Sequence, residues 1–158
     1  MSVLAHFDEN GASRMIDVSA KPTTVRTAVA SGRVAMAPET LRQTLGEGVA
    51  KGDVREVARL AGIMAAKKTS DIIPLCHPLP LDAVEIDFRP VSAGELEVRA
   101  TCRTVGRTGV EMEAMTAVAA ACLTIYDMCK SMDRGMTIAA VRLESKSGGR
   151  SGDWRRTT

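Results

Sequence analysis

A chain of 158 residues, 45% hydrophobic and 25% charged, is long enough to bury one globular core, and a single domain is expected. With 21 basic against 19 acidic side chains the formal charge is +2, which excludes general electrostatic attraction to nucleic acid or anionic lipid and makes any anion site local. Aromatic residues are only 3% of the chain, so the core must be built from Ala, Val, Leu, Ile and Met in thin, close layers.

Residues 1–22 are polar and turn-rich and read as a flexible arm. The acids within Met1–Gly11 fit neither a secretory signal nor a mitochondrial presequence. From Thr24 to Met36, Val25, Thr27 and Val29 alternate with Arg26, Ala28 and Ala30, which is the period of a strand, ended or bulged at Gly32. Pro38 and Glu39 open a short helix with Leu41, Leu45 and Val49 on one face. After Gly52, Asp53 is a good N-cap for a second helix through Val54, Val57, Ala58 and Ala61, ending near Lys67 and Lys68.

Three prolines within Pro74–Pro80 exclude a helix and predict an extended loop around His77. Val84, Ile86 and Phe88, then Leu96, Val98, Ala100 and Cys102, alternate with polar residues about a turn at Gly94, which predicts a hairpin with one buried face. A helix over 110–130 is apolar on more than one stripe and reads as the central packing element. Thr116, Thr124 and Asp127 interrupt it as a membrane span. A last strand over Met136–Lys146 runs into a glycine-rich tail, 147–158, read as flexible. The order matches the ferredoxin-like plan: an α+β domain with a four-stranded antiparallel sheet and helices packed on one face. Its other face, expected to be small and apolar, would meet solvent or another subunit, and oligomerisation is the simpler solution.

Cys76, Cys102, Cys122 and Cys129 contain no C-x-x-C pair and read as buried thiols. His77 is held in a stiff loop, suited to proton transfer or to capping a turn. One His beside one Cys offers too few ligands, and no metal site is expected. Lys51, Lys67, Lys68 and Lys130 each fit either a solvated charge or a phosphate ligand. Asp127 stands three residues before Lys130 on the same helix face and forms with it an acid–base couple whose members perturb each other. Gly106–Gly109 leads into a helix N-terminus, where free amides attract anions, although Glu111 and Glu113 already complement that dipole.

The runs Ile73–Leu79 (IPLCHPL) and Thr108–Ala114 (TGVEMEA), together with 6–11, 17–21, 51–53, 58–68, 115–130 and 146–152, resemble the cyclic pyranopterin monophosphate synthase family, the C protein of molybdenum-cofactor synthesis. The resemblance implies a cytoplasmic lyase that converts 3',8-cyclo-7,8-dihydro-GTP into cyclic pyranopterin monophosphate with release of pyrophosphate. It implies a homohexamer built as a trimer of dimers, and substrate contacts at Leu75, Cys76, His77, Met112 and Glu113. It further implies an active-site aspartate at Asp127, catalytic lysines at Lys51 and Lys130, and pocket cations at Lys67 and Arg26. No cofactor is implied, and whether magnesium accompanies the polyphosphate is left open. Glu113 and Asp127 are fourteen residues apart on one predicted helix, roughly 21 Å along its axis. If both touch one ligand, two chains must share the site at a dimer interface. The rival readings are an RNA-binding module, disfavoured because the predicted strands offer only Phe88 for base stacking, and a purely structural oligomer.

Overall fold

The computed structural model describes residues 5–46 and 53–157. Four long strands and one short one form an antiparallel sheet: β1 (Thr24–Ala35), β2 (Ala83–Ser92), β3 (Glu95–Gly106), β4 (Thr137–Ser147) and β5 (Trp154–Arg155), in the spatial order β2-β3-β1-β4-β5. Helices α1 (Pro38–Thr44), α2 (Val54–Ala66), α3 (Thr69–Ile72) and α4 (Glu111–Cys129) complete the chain, and α2 and α4 lie side by side on one face of the sheet. The architecture is α+β.

The alternation seen in β1 sets this packing. Arg26, Ala28, Ala30 and Val34 turn toward the helices and are buried, as do Leu96, Val98, Ala100 and Cys102 opposite them on β3. Gly32 does not end β1. A Cβ there would come within 2.6 Å of Val118 Cγ1, so glycine lets α4 approach the strand. The pairing with β4 shifts register between Ser31 and Arg33, which is the bulge. On α2, Asp53 Oδ1 accepts from the Arg55 amide at 2.9 Å, the expected N-cap. The predicted continuation of α1 to Val49 lies outside the described residues.

Three expectations are corrected. The sheet has five strands, not four: Gly148, Gly149 and Gly152 all have positive φ, and the turn they make returns Trp154 and Arg155 to pair with Lys146 and Ser145. The face without helices is charged rather than small and apolar. Arg33 bridges Glu95 at 2.9 Å, Arg89 bridges Glu97 at 2.9 Å, and Glu144 accepts from Ser31 at 2.5 Å and from Arg142 at 2.7 Å. Finally, α4 is by length and composition apolar enough to cross a membrane. Its Ala114, Ala117, Val118, Ala121, Cys122, Ile125 and Cys129 side chains are instead buried in the core between the sheet and α2.

Candidate functional site

The extended loop after α3 and the first turn of α4 enclose a depression of about 260 Å³. Leu75, Cys76, His77, Met112 and Glu113 all line it, so five residues from two distant segments meet as the sequence suggested. The prolines keep the loop extended, and Thr104 Oγ1 on β3 donates to the Pro80 carbonyl at 2.5 Å, pinning the loop to the sheet. The segment 5–22 lies against the same loop. His6, Ile16 and Lys21 reach the depression, and His77 Nε2 sits 2.8 Å from the Ile16 carbonyl oxygen. A carbonyl only accepts, so Nε2 carries the proton, and in the neutral ring Nδ1 is left as an acceptor.

Glu113 is the unusual charge here, since it is 4% exposed in the first turn of α4. Burial raises its carboxyl above the ordinary carboxylate range, and Glu111 adds to the rise, while a main-chain hydrogen bond opposes it. Such a group exchanges a proton nearer neutrality than a solvated glutamate does. Burial likewise raises the Cys76 thiol, with Glu113 adding to it, which favours its neutral form.

A second depression, of about 170 Å³, adjoins the first and shares Lys21, Thr108, Gly109 and Glu111 with it. Its cations are Lys21, Arg26, Arg107 and Lys146, a local positive field in a nearly neutral chain. Arg26 is 7% exposed and donates to the carbonyls of Gly106 and Arg107, both at 3.2 Å. Among the described residues it has no carboxylate partner. The tail turn fits around it: a Cβ on Gly149 would overlap the Arg26 guanidinium, and one on Gly148 would overlap the Val25 carbonyl. Lys21, Arg107 and Lys146 were not singled out from the sequence as site residues. The signal was there in Gly106–Gly109 and in the glycines of the tail, which bring basic residues to one helix N-terminus.

The other predicted residues stand apart within one chain. Asp127 and Lys130 form an exposed ion pair at 2.5 Å at the opposite end of α4. The hydrogen bond and charge of Asp127 raise Lys130 above its ordinary value, which favours the ammonium form. Lys67 is the exposed C-cap of α2 and lines neither depression. Lys51 lies outside the described residues. Among those residues no group of three or more His, Cys, Asp or Glu side chains could hold a metal ion. Between the two ends of α4 runs an apolar groove formed by Ile72, Met112, Met115, Ala119, Leu123 and others, with Leu123 62% and Ile72 58% exposed. Met112 belongs to both this groove and the His77 depression.

Residues 15–149 match the profile of the MoaC family. The chain is 58% identical over 153 residues to the cyclic pyranopterin monophosphate synthase of Parvibaculum lavamentivorans, covering 96% of each chain. It is 59% identical over 157 residues to that of Thermomicrobium roseum, covering 99% of this chain and 95% of the relative. A third relative, cyclic pyranopterin monophosphate synthase 1 of Mycobacterium tuberculosis, is 58% identical over 154 residues, covering 98% of this chain and 91% of the relative.

Proposed function

The chain belongs to the MoaC family and acts as an enzyme of molybdenum cofactor biosynthesis, and we propose that the paired depressions at the N-terminal end of α4 bind 3',8-cyclo-7,8-dihydro-GTP for conversion to cyclic pyranopterin monophosphate. The observation that carries this reading is a purine-sized depression with buried Glu113 opening beside a cleft of four cations. The first matches a guanine-derived ring system in size and hydrogen-bonding groups, and the second matches a polyphosphate. A buried arginine with only main-chain acceptors is costly unless an anion completes its shell, which supports Arg26 as a phosphate ligand.

The reaction closes a cyclic phosphate. An oxygen of the rearranged substrate attacks the phosphate nearest the ribose, a P–O bond forms, the bond to the departing pyrophosphate breaks, and the proton of the attacking oxygen passes to a base. Cations lower the barrier by stabilising charge on the transferring and leaving groups. In our reading Lys51 and Lys130 carry proton transfers, with Asp127 keeping Lys130 protonated as a donor, and Lys67 adds positive charge from the end of α2. Leu75, Cys76, His77, Met112 and Glu113 hold the ring system. In this reading side chains carry these steps, no cofactor is invoked, and any magnesium present would accompany the polyphosphate. The acid–base chemistry is cytoplasmic in this reading.

For Asp127 and Lys130 to act at this site, they must come from a second copy, since α4 separates them from Glu113 by roughly 21 Å. The exposed apolar groove along α4, continuous with the site through Met112, supports a dimer formed there, and three such dimers would make the expected hexamer. Helices between β1 and β2 and between β3 and β4, with the order β2-β3-β1-β4, support the ferredoxin-like class. The test is incubation with the cyclised nucleotide: the protein should release pyrophosphate and form the pyranopterin, and an inert protein would overturn the reading. Lys51→Ala should still bind the nucleotide but turn it over very slowly. Near-normal turnover would remove Lys51 from the mechanism.

A further inference from the structure

Among the described residues, one acid lines the cationic cleft. Glu111, the first residue of α4, lines both depressions, and its Oε1 lies 3.2 Å from Lys146 Nζ. Lys146 also donates to Ser151 Oγ at 2.9 Å, so the lysine is held between the helix start and the tail turn. The Glu111 carboxylate is folded back over the Thr108–Gly109 turn. A Cβ on Gly109 would overlap Oε2 and lie 2.7 Å from the carboxyl carbon. Only glycine at 109 leaves the carboxylate this place. Among the described residues, the other cations of the cleft, Lys21, Arg26 and Arg107, have no carboxylate partner.

We propose that Glu111 is the resident counter-ion of this cleft, occupying the place of one phosphate of the nucleotide, yielding it on binding and returning as pyrophosphate leaves. The proposal rests on the polyphosphate reading above and adds a residue and a task to it. A carboxylate and a phosphate edge both offer oxygen acceptors to an ammonium, and a helix N-terminus favours either anion. Four cations that bind a triphosphate would also retain a pyrophosphate carrying several charges, and slow release limits turnover. A tethered carboxylate competes at high effective concentration and needs no diffusion to arrive. It therefore weakens the grip on the product and keeps Lys146 neutralised in the empty enzyme.

The experiment is calorimetric titration of the full-length protein with inorganic pyrophosphate, for wild type, Glu111→Gln and Gly109→Ala, with circular dichroism confirming that each is folded. Glutamine keeps the shape and removes the charge. Alanine at 109 keeps the charge and evicts the carboxylate, at low folding cost because the atoms that must move are the free end of a side chain. We expect Glu111→Gln to bind pyrophosphate on the order of tenfold more tightly, as removal of one partly exposed like charge allows, and to be inhibited by pyrophosphate at correspondingly lower concentration. Gly109→Ala should shift in the same direction by less. Unchanged or weaker binding in Glu111→Gln would overturn the proposal and leave Glu111 as a group that positions Lys146. So would the absence of pyrophosphate binding in all three proteins. Failure of the wild type to release pyrophosphate from the cyclised nucleotide would count against the reaction reading alone, because the titration does not depend on turnover.

Discussion

If two chains share each site, damage to opposite ends of α4 must complement. Glu113 faces the ring depression and Asp127 pairs with Lys130 at the other end of the same helix. Fourteen residues at 1.5 Å each separate them by roughly 21 Å, further than two acidic side chains can bridge. Glu113→Ala and Asp127→Ala should each reduce turnover by about 10²–10⁴-fold, the range for lost proton-transfer or positioning groups. Mixed one to one and reassembled, half of the dimers carry one chain of each kind. In every such dimer one site collects both lesions and the other collects neither. About a quarter of all sites are then intact, and activity should recover to about a quarter of wild type. The assay is pyrophosphate release by differently tagged chains, co-refolded and purified through both tags: isolated dimers so selected should be intact at about half of their sites, while hexamers so selected still contain homodimers and stay near a quarter. Activity in doubly tagged dimers no higher than in the parents would refute the shared site, because a site built within one chain keeps one lesion in every copy.

Three further outcomes follow from local geometry. Gly149→Ala puts a Cβ into the Arg26 guanidinium at a left-handed φ of +76. The backbone strain costs about 1–2 kcal/mol, lowering Tm by about 2–8 °C, and KM for the nucleotide should rise as Arg26 is displaced; an unchanged KM would remove Arg26 from binding. Burial raises the Glu113 carboxyl above 4.5, so the folded state disfavours its ionised form. Wild type therefore keeps this contribution to stability below that value and loses it as pH rises through the folded-state pKa. Glu113→Gln, which cannot ionise, should gain on wild type in urea midpoints measured from about pH 5 to about pH 8, and a constant gap would contradict the raised pKa. Gly62→Ala sets a Cβ 2.9 Å from the Ala117 carbonyl oxygen and into Ile86 Cδ1. Overpacking of about 1–3 kcal/mol should exceed the gain of up to about 1 kcal/mol from helix propensity, so thermal unfolding should show a net loss, and a stabilised variant would mean that α2 moves freely over α4.

Much of this architecture can be read from periodicity because the relevant contacts are local. The β2–β3 hairpin follows from the alternation of Val84, Ile86 and Phe88 with charges, and Asp53 announces α2 two residues before it bonds the Arg55 amide. The short elements were not legible. α3 is a single turn, too short to show a helical period, and β5 is two residues whose pairing depends on three left-handed glycines rather than on its own composition. The charged outer face of the sheet was misjudged for a different reason. Ser31 and Arg33 carry no such signal on their own, and only their cross-strand partners Glu144, Glu95 and Glu97 make them part of an ionic surface. In the candidate site, the ring depression was legible through IPLCHPL and TGVEMEA. The cationic cleft was not assembled, because Lys21, Arg107 and Lys146 come from three segments that only the sheet brings to one edge.

The physical constraint behind the site is the length and composition of α4. Ala114, Ala117, Val118, Ala121 and Cys122 pack against the sheet and α2 through side chains so small that Gly32 and Gly62 meet the helix directly. A helix held this closely cannot bend to bring its ends together, so Glu113 and Asp127 stay apart whatever binds. Its outer side leaves Leu123 exposed and Met115 and Ala119 half-buried in the isolated chain, an apolar surface that a second copy can cover without opening the core. If that copy lies antiparallel across the groove, as a two-fold axis through the middle of α4 requires, its Asp127–Lys130 pair approaches the Met112–Glu113 end of the first. On that arrangement the rigidity that prevents one chain from building a complete site lets two chains build two. Shortening α4 by one turn between its ends would then move the partner's ion pair about 5.4 Å and abolish turnover in dimers that still form.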